Sequence, residues 1–297
     1  LIVISAMTWF MTEAWDRYAD SGILFTALVY ACFFVLAGRY FWHKPGLKIP
    51  GGLLFTLAVF MTPLIIYGLE RLTGFWPQSE PGITQWFMPE VRSYRYPFEI
   101  GSIIIGLIAL KFVRFPFLTV PIMIALWGLT LDVTSFMLGY PQLPELEIQW
   151  TAFWFGIAMV GMAYLIDQRT KEDYAFWAYL GGLWAFWLGL TAMESDTEIG
   201  KFIYCMINVG LMFLSILLAR RAFFVFGAIG VMVYVAHLAS LFADSLLFPI
   251  ALTLLGIGVI FLGVQYQRHR DAIERSIVGM LPDRLRRHLP RERIREF

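Results

Sequence analysis

Nine apolar runs occupy most of this 297-residue chain, at 22–42, 50–69, 98–113, 117–138, 148–166, 174–193, 199–218, 222–243 and 246–267. A helical crossing of a bilayer takes about 20 such residues. Lipid gives backbone N–H and C=O groups no partner except one another, so a chain made of these runs is committed to helices packed side by side. A tenth helix is expected at 1–12 (LIVISAMTWFMT), which is apolar but covers only about half a bilayer at ~1.5 Å per residue. The first residue is not Met, and the expectation is a first helix truncated in the sequence as given. The predicted fold class is therefore all-α, a polytopic helical membrane protein with about ten transmembrane helices. Composition agrees: 15% of residues are charged and 59% hydrophobic, where soluble domains carry roughly 25% charged residues.

Basic residues near span ends resist translocation, and they set the orientation. Arg39, Lys44, Lys48, Lys111, Arg114, Arg169, Lys171, Arg220, Arg221 and the nine arginines from Arg268 onward fall in alternate connections, 18 of the 23 Lys and Arg in the chain. The opposite connections collect acidic residues, among them Glu13, Asp16, Glu70, Glu80, Glu90, Glu145, Glu194, Asp196 and Glu198. Both termini are predicted to be cytoplasmic, beneath an acidic outer face.

The predicted organisation is a transmembrane helical domain over 1–267 and a basic amphipathic cytoplasmic tail over 268–297. Within the first, the one long connection is an outer loop at 70–97, in which Trp76, Trp86, Phe87, Tyr94 and Tyr96 alternate with prolines and charges. Aromatic rings of that kind are enriched at headgroup level. The tail sets Ile273, Ile277, Leu281, Leu285 and Leu289 among arginines and should lie on an anionic leaflet, with Arg284, Arg286 and Arg287 toward anionic lipid. No nucleic-acid role is expected of a membrane-flanking basic tail. A membrane-protein partner or a second copy of the chain is the other expected contact.

Charged groups inside a span are costly and mark function by default. Asp132 (LWGLTLDVTSF) and His237 (VYVAHLASLF) each stand about six residues inside the outer end of their helices, and a carboxylate–imidazole pair at matched depth would suit a proton relay. Asn208 (YCMINVG) falls near the midplane, where an amide ordinarily bonds a neighbouring helix. Glu99 follows Pro97 at a helix start, where a carboxylate complements the helix dipole. These four, Asp132, His237, Asn208 and Glu99, are the candidate substrate- or proton-binding residues. Asp196 is expected to cap the helix after the acidic hairpin MESDTEIGK.

Signatures of catalysis are missing from the sequence. His43, His237, His269 and His288 show no metal-binding spacing, Cys32 and Cys205 stand alone, and neither a G-x-S-x-G elbow nor a phosphate-binding glycine loop occurs. No cofactor and no metal are expected. Pro63, Pro121 and Pro249 are the places where a span could kink.

The segments ALWGLTLDVTS, EDYAFWAYLGGLWAFWLGL, EIGKFIYCMINVGL, RRAFFVFGAIGVMVYVAHLA and DSLLFPIALTLLGIGVIFLGVQYQRH resemble bacterial multi-pass membrane proteins of a domain-of-unknown-function family. The resemblance covers about 118–269 and implies a bacterial inner-membrane location and a ten-helix pattern, without an activity. The leading expectation for function is a carrier of a small solute or ion with a polar site around Asp132. A structural or accessory subunit of a membrane complex is the alternative, and a membrane enzyme or sensor using the outer loop is the second.

Overall fold

The computed structural model describes residues 20–75, 96–140, 143–170, 173–193, 195, 197–218 and 220–240, together with isolated positions from 250 to 268. Within them the chain is helical: α1 (Asp20–Trp42), α2 (Lys48–Phe60), α3 (Thr62–Leu72), α4 (Tyr96–Phe112), a short 3-10 turn (Pro116–Leu118), α5 (Thr119–Leu138), α6 (Glu145–Arg169), α7 (Ala175–Ala192), α8 (Glu198–Leu218) and α9 (Arg221–Ser240). Seven stretches are long and apolar enough to cross a membrane, α2 and α3 counting as one. Helix α4, with 17 residues, reaches about 25 Å at 1.5 Å per residue, just short of the ~30 Å hydrocarbon core. The predicted helix at 1–12, most of the run at 246–267, the loop residues 76–95 and most of the basic tail lie outside the described residues.

Large apolar side chains such as Phe25, Phe33, Leu36, Ile104, Leu107, Phe136 and Trp154 face outward. That is the surface a helix bundle turns to acyl chains, since lipid exerts no hydrophobic drive to bury them. The buried residues mix large apolar side chains such as Tyr67, Leu118, Leu183 and Phe223 with small or polar ones, including Ala27, Thr56, Ala125, Asp132, Ser135, Ala163 and Asn208.

The chain divides into two units, Leu1–Ala185 and Phe186–Phe297, with the boundary inside α7. In the first unit α1 packs on α2 and α3, α3 on α4, and α4 on α5. The break between α2 and α3 falls at Met61, with Pro63 in the first turn of α3. Proline has no N–H to offer the carbonyl four residues back, so Val59 O loses the donor that a continuous helix would supply. Pro121, by contrast, sits in the first turn of α5, where the missing N–H costs nothing. Of the three prolines singled out in the sequence, Pro63 interrupts a span, Pro121 starts one and Pro249 lies outside the described residues.

Packing contacts fix the heights of α3, α4 and α5 relative to one another. Tyr96 Oη donates to the Asp132 carbonyl at 3.3 Å. One turn further along α4, Glu99 Oε1 lies 2.5 Å from where a Cβ on Gly128 would stand, and Gly106 meets Ile122. Each step along α4 is thus matched by an equal step back along α5. The α3–α4 pair runs the same way, with the Tyr67 and Phe98 rings 6.2 Å apart, Ile66 over Gly101, and Val59 against Gly106. Glu70 stands one turn beyond Tyr67 and hence at the height of Tyr96 and Asp132.

At the opposite, basic end the seam is plugged. Val59, Val113 and Leu118 form a buried cluster with Trp42, Phe55 and Phe115 packed against it, the Trp42 ring lying 6.4 Å from both phenyl rings and edge-on to them.

The second unit centres on the α8–α9 hairpin. Phe202 faces Tyr234 with centroids 6.5 Å apart, and Gly227 lets α9 approach the Asn208 carbonyl and Met212. The last turns of α7 join through Trp187 on Phe226, at 5.9 Å, and a Thr191–Tyr204 hydroxyl contact of 3.0 Å.

Candidate functional site

Among the described residues three carboxylates are buried in the first unit: Glu70, Glu99 and Asp132, with 7%, 8% and 2% of their surface exposed. A charge inside a bundle is costly wherever it sits, so three within about one helical turn of height are an expensive arrangement. On α5 the buried face reads Pro121, Ile122, Ala125, Asp132, Ser135, and on α4 it reads Phe98, Glu99, Ser102, Gly106. The helical period sets both acidic residues on the α4–α5 seam.

Backbone detail holds Asp132 in place. Tyr96 ties its carbonyl to α4. Just beyond it α5 ends at Gly139, in the left-handed region at φ 69°, where glycine adopts the turn at no steric cost. Tyr140 N–H returns to Ser135 O at 3.1 Å, and Ser135 Oγ donates to Tyr140 O at 2.6 Å.

Beside Glu99 is a chamber of about 210 Å³, lined from α2 and α3 by Val59, Phe60 and Pro63, from α4 by Phe98, Glu99 and Ser102, and from α5 by Pro121, Ile124, Ala125 and Gly128. Its walls are mainly apolar, and its polar groups gather on α4. Ser102 is 4% exposed, and its Oγ has no hydrogen-bond partner. Two other buried hydroxyls are satisfied within their own helices: Thr56 donates to Gly52 O at 3.0 Å and Thr151 to Glu147 O at 2.7 Å. An unbonded buried hydroxyl leaves roughly 1–3 kcal/mol of desolvation uncompensated.

The four residues expected to carry binding are distributed as follows. Glu99 lies in the first turn of its helix, as expected, and is buried at the chamber. Asp132 is buried one turn beyond Gly128 on the same seam. Asn208 is fully buried in the second unit. Its Nδ2 donates to Tyr204 O of its own helix at 2.9 Å, so the interhelical bond expected of this amide is replaced by a bond within α8, with the side chain seated on Gly230. His237 Nε2 lies 3.2 Å from both carboxylate oxygens of Glu198, which also takes a bond from Lys201 Nζ at 2.9 Å. This histidine thus meets a carboxylate of the hairpin that the sequence assigns to solvent. The cap of α8 is Thr197, whose Oγ1 accepts from Gly200 N–H at 3.2 Å; Asp196 lies outside the described residues.

Two groups escape the sequence reading. Glu70 was given to the outer loop, but α3 continues through Leu72 and places it on the face of Pro63 and Tyr67. Spacing of three and four residues from Pro63 was the available signal. Ser102 carries no sequence signal beyond standing one turn after Glu99.

Among the described residues no three His, Cys, Asp or Glu side chains converge as a metal ion requires. The chain matches no protein-family model, no curated protein and no solved structure. Its fold places it in the class of all-helical proteins with multiple helices able to span a membrane.

Proposed function

We propose that this is an integral membrane carrier of a small solute or ion, with its polar site in the first unit around Asp132 and Glu99. The observation that carries this reading is the chamber on the α4–α5 seam, bordered by a buried carboxylate and a buried, unbonded serine hydroxyl. Ligand pockets are characteristically apolar with a few convergent polar groups, and intramembrane carboxylates mark substrate and ion pathways. The break at Pro63 adds a second feature of such sites, an interrupted helix beside the cavity.

In the same reading the acidic end faces outward, the basic end faces the cytoplasm, and the membrane is a bacterial inner membrane. Cysteines introduced at Ser195 and at Thr170, in a background lacking Cys32 and Cys205, test this orientation. The first is expected to react with an impermeant reagent from outside and the second only after permeabilisation, and inverted labelling overturns it.

The function is tested by a thermal-stability screen of the nanodisc-embedded protein against ions, metabolites and lipids, with wild type beside Asp132→Asn. A ligand at 100 times its dissociation constant stabilises by about 2.7 kcal/mol. A shift present in wild type and lost in the variant supports the site. Stabilisation by lipid alone transfers the weight to an accessory subunit of a membrane complex.

A further inference from the structure

Helices α1, α2–α3 and α4 enclose a groove of about 510 Å³. Because α1 and α4 both pack on α2–α3, the last forms its floor and the other two its walls. Val35 comes from α1, Phe55 and Ile66 from the floor, and Gly101, Ile104 and Ala109 from α4. Thr62 is the one polar side chain among the lining residues, so a water-soluble ligand finds little to bond there. Val35, Ile104 and Ile105 are 44%, 51% and 43% exposed, and the groove opens between them toward the acyl chains of the bilayer. From Phe55 to Ile66 the floor rises about 16 Å at ~1.5 Å per residue, which is half of a hydrocarbon core of ~30 Å. The groove thus has the depth of one leaflet. Its volume over that length gives a breadth of about 6 Å, room for one hydrocarbon chain whose carbons keep ~3.5–4.0 Å from their neighbours.

Charge gathers at one end of this groove. Gly38 packs against Gly51 and Phe55, and Gly106 against Val59, which brings Arg39 and Lys111 to the height of Phe55, where the groove ends on the basic side. Arg39 stands one turn beyond Val35 and Lys111 two turns beyond Ile104, so both lie on the groove faces of their helices. Lys48, two turns before Phe55, continues the stripe of the floor further out. Each of the three helical elements therefore carries one exposed cation past the mouth, and none of the three pairs with a carboxylate among the described residues.

We propose that the groove binds one anionic phospholipid of the leaflet on the basic side, an acyl chain lying along α2–α3 from Phe55 to Ile66 and the phosphate held by Arg39, Lys111 and Lys48. The arginine fork matches phosphate oxygens two at a time, and the lysines add point charges. Basic pockets between membrane helices bind headgroups in this way. A zwitterionic lipid of the same chains gains the apolar contacts with less of the charge, and a free phosphate gains the charge without the groove. The site is separate from the arginines of the tail and does not depend on the carrier reading.

The test titrates the delipidated full chain in detergent with dioleoyl phosphatidylglycerol, set against dioleoyl phosphatidylcholine and glycerol 3-phosphate. Arg284→Gln, Arg286→Gln and Arg287→Gln in the background silence the tail. The unfolding midpoint reads affinity, and native mass spectrometry counts the lipids retained. Phosphatidylglycerol is expected to stabilise saturably with one molecule retained per chain, phosphatidylcholine to bind at least tenfold more weakly, and glycerol 3-phosphate to do nothing. Arg39→Gln with Lys111→Gln should lower phosphatidylglycerol affinity at least tenfold and leave phosphatidylcholine within twofold. Ala58→Phe, which fills the floor of the groove, should lower both at least tenfold. Arg39 and Lys111 are exposed, so their variants keep the unliganded midpoint and the test stays decisive if Ala58→Phe fails to fold. Equal affinities for the two lipids, a glycerol 3-phosphate shift equal to that of the lipid, or phosphatidylglycerol binding undiminished in the charge variant or in folded Ala58→Phe each overturns the proposal. Saturable dimerisation with no lipid retained overturns it too and gives the groove to a second copy of the chain.

Discussion

Two antiparallel helix pairs in this protein use one device to different ends. In α4–α5 a glycine, Gly128, makes room for the carboxylate of Glu99; in α8–α9 a glycine, Gly230, makes room for the amide of Asn208. The second pair is closely packed around its amide. Asn208 satisfies its own nitrogen on Tyr204 O, and Gly227 brings the backbones together at the same height. The first pair is open on one side, where the interruption at Pro63 leaves a chamber. A polar side chain opposite a glycine is therefore packing in one hairpin and part of a chamber wall in the other. What separates them is the third helix: a broken one beside α4–α5 creates volume.

The largest effect expected from this contrast is on stability, in the closely packed pair. Gly227→Ala would put a Cβ 2.5 Å from the Asn208 carbonyl oxygen, a backbone atom that cannot swing aside. A loss of up to about 3 kcal/mol is expected, the upper range for overpacking, read as a lowered unfolding midpoint in detergent with ligand response retained. Asp132→Asn should do the reverse, weakening the ligand shift at least tenfold, about 1.4 kcal/mol, while the unliganded midpoint moves by less than ~1 kcal/mol. Its counterpart Asn208→Ala should cost about 1 kcal/mol, as for an ordinary intramolecular hydrogen bond, and leave ligand affinity at the wild-type value. If Asn208→Ala also abolished the shift, the division between packing and site would collapse. Gly128→Ala sharpens the comparison: displacing Glu99 should cost severalfold in ligand affinity and about 1 kcal/mol in stability. The smallest effect belongs to His237→Gln. Its partner Glu198 is largely exposed, and exposed ion pairs contribute little, so both midpoint and ligand shift should match wild type.

Much of this architecture was legible in the chain. Apart from the run at 50–69, which divides at Met61, the described helices begin within three residues of the apolar runs that predict them, because charge and proline set where a helix in lipid starts. α3 shows the limit of that rule. Its apolar run stops at Leu69, but the helix goes on to Leu72, since Glu70 faces inward and Thr73 closes the helix by returning its hydroxyl to Leu69 O at 2.9 Å. The site was legible in part. Asp132 and Glu99 stand out because charge is rare in spans, but which helices meet is decided by small residues such as Gly106 and Gly128, whose contacts have no sequence period. His237 illustrates the cost of that gap. Its contact with Glu198 comes from the register of the α8–α9 hairpin, from a position that hydropathy assigns to solvent.

The central claim, that the α4–α5 seam is the solute site of a carrier, is tested most directly by uptake into proteoliposomes of whichever compound stabilises the purified protein. Wild type is predicted to take it up faster than protein-free liposomes, and Glu99→Gln and Asp132→Asn to lose at least nine-tenths of that uptake while keeping wild-type unliganded midpoints. Uptake equal to that of empty liposomes, or undiminished in both variants, contradicts the claim.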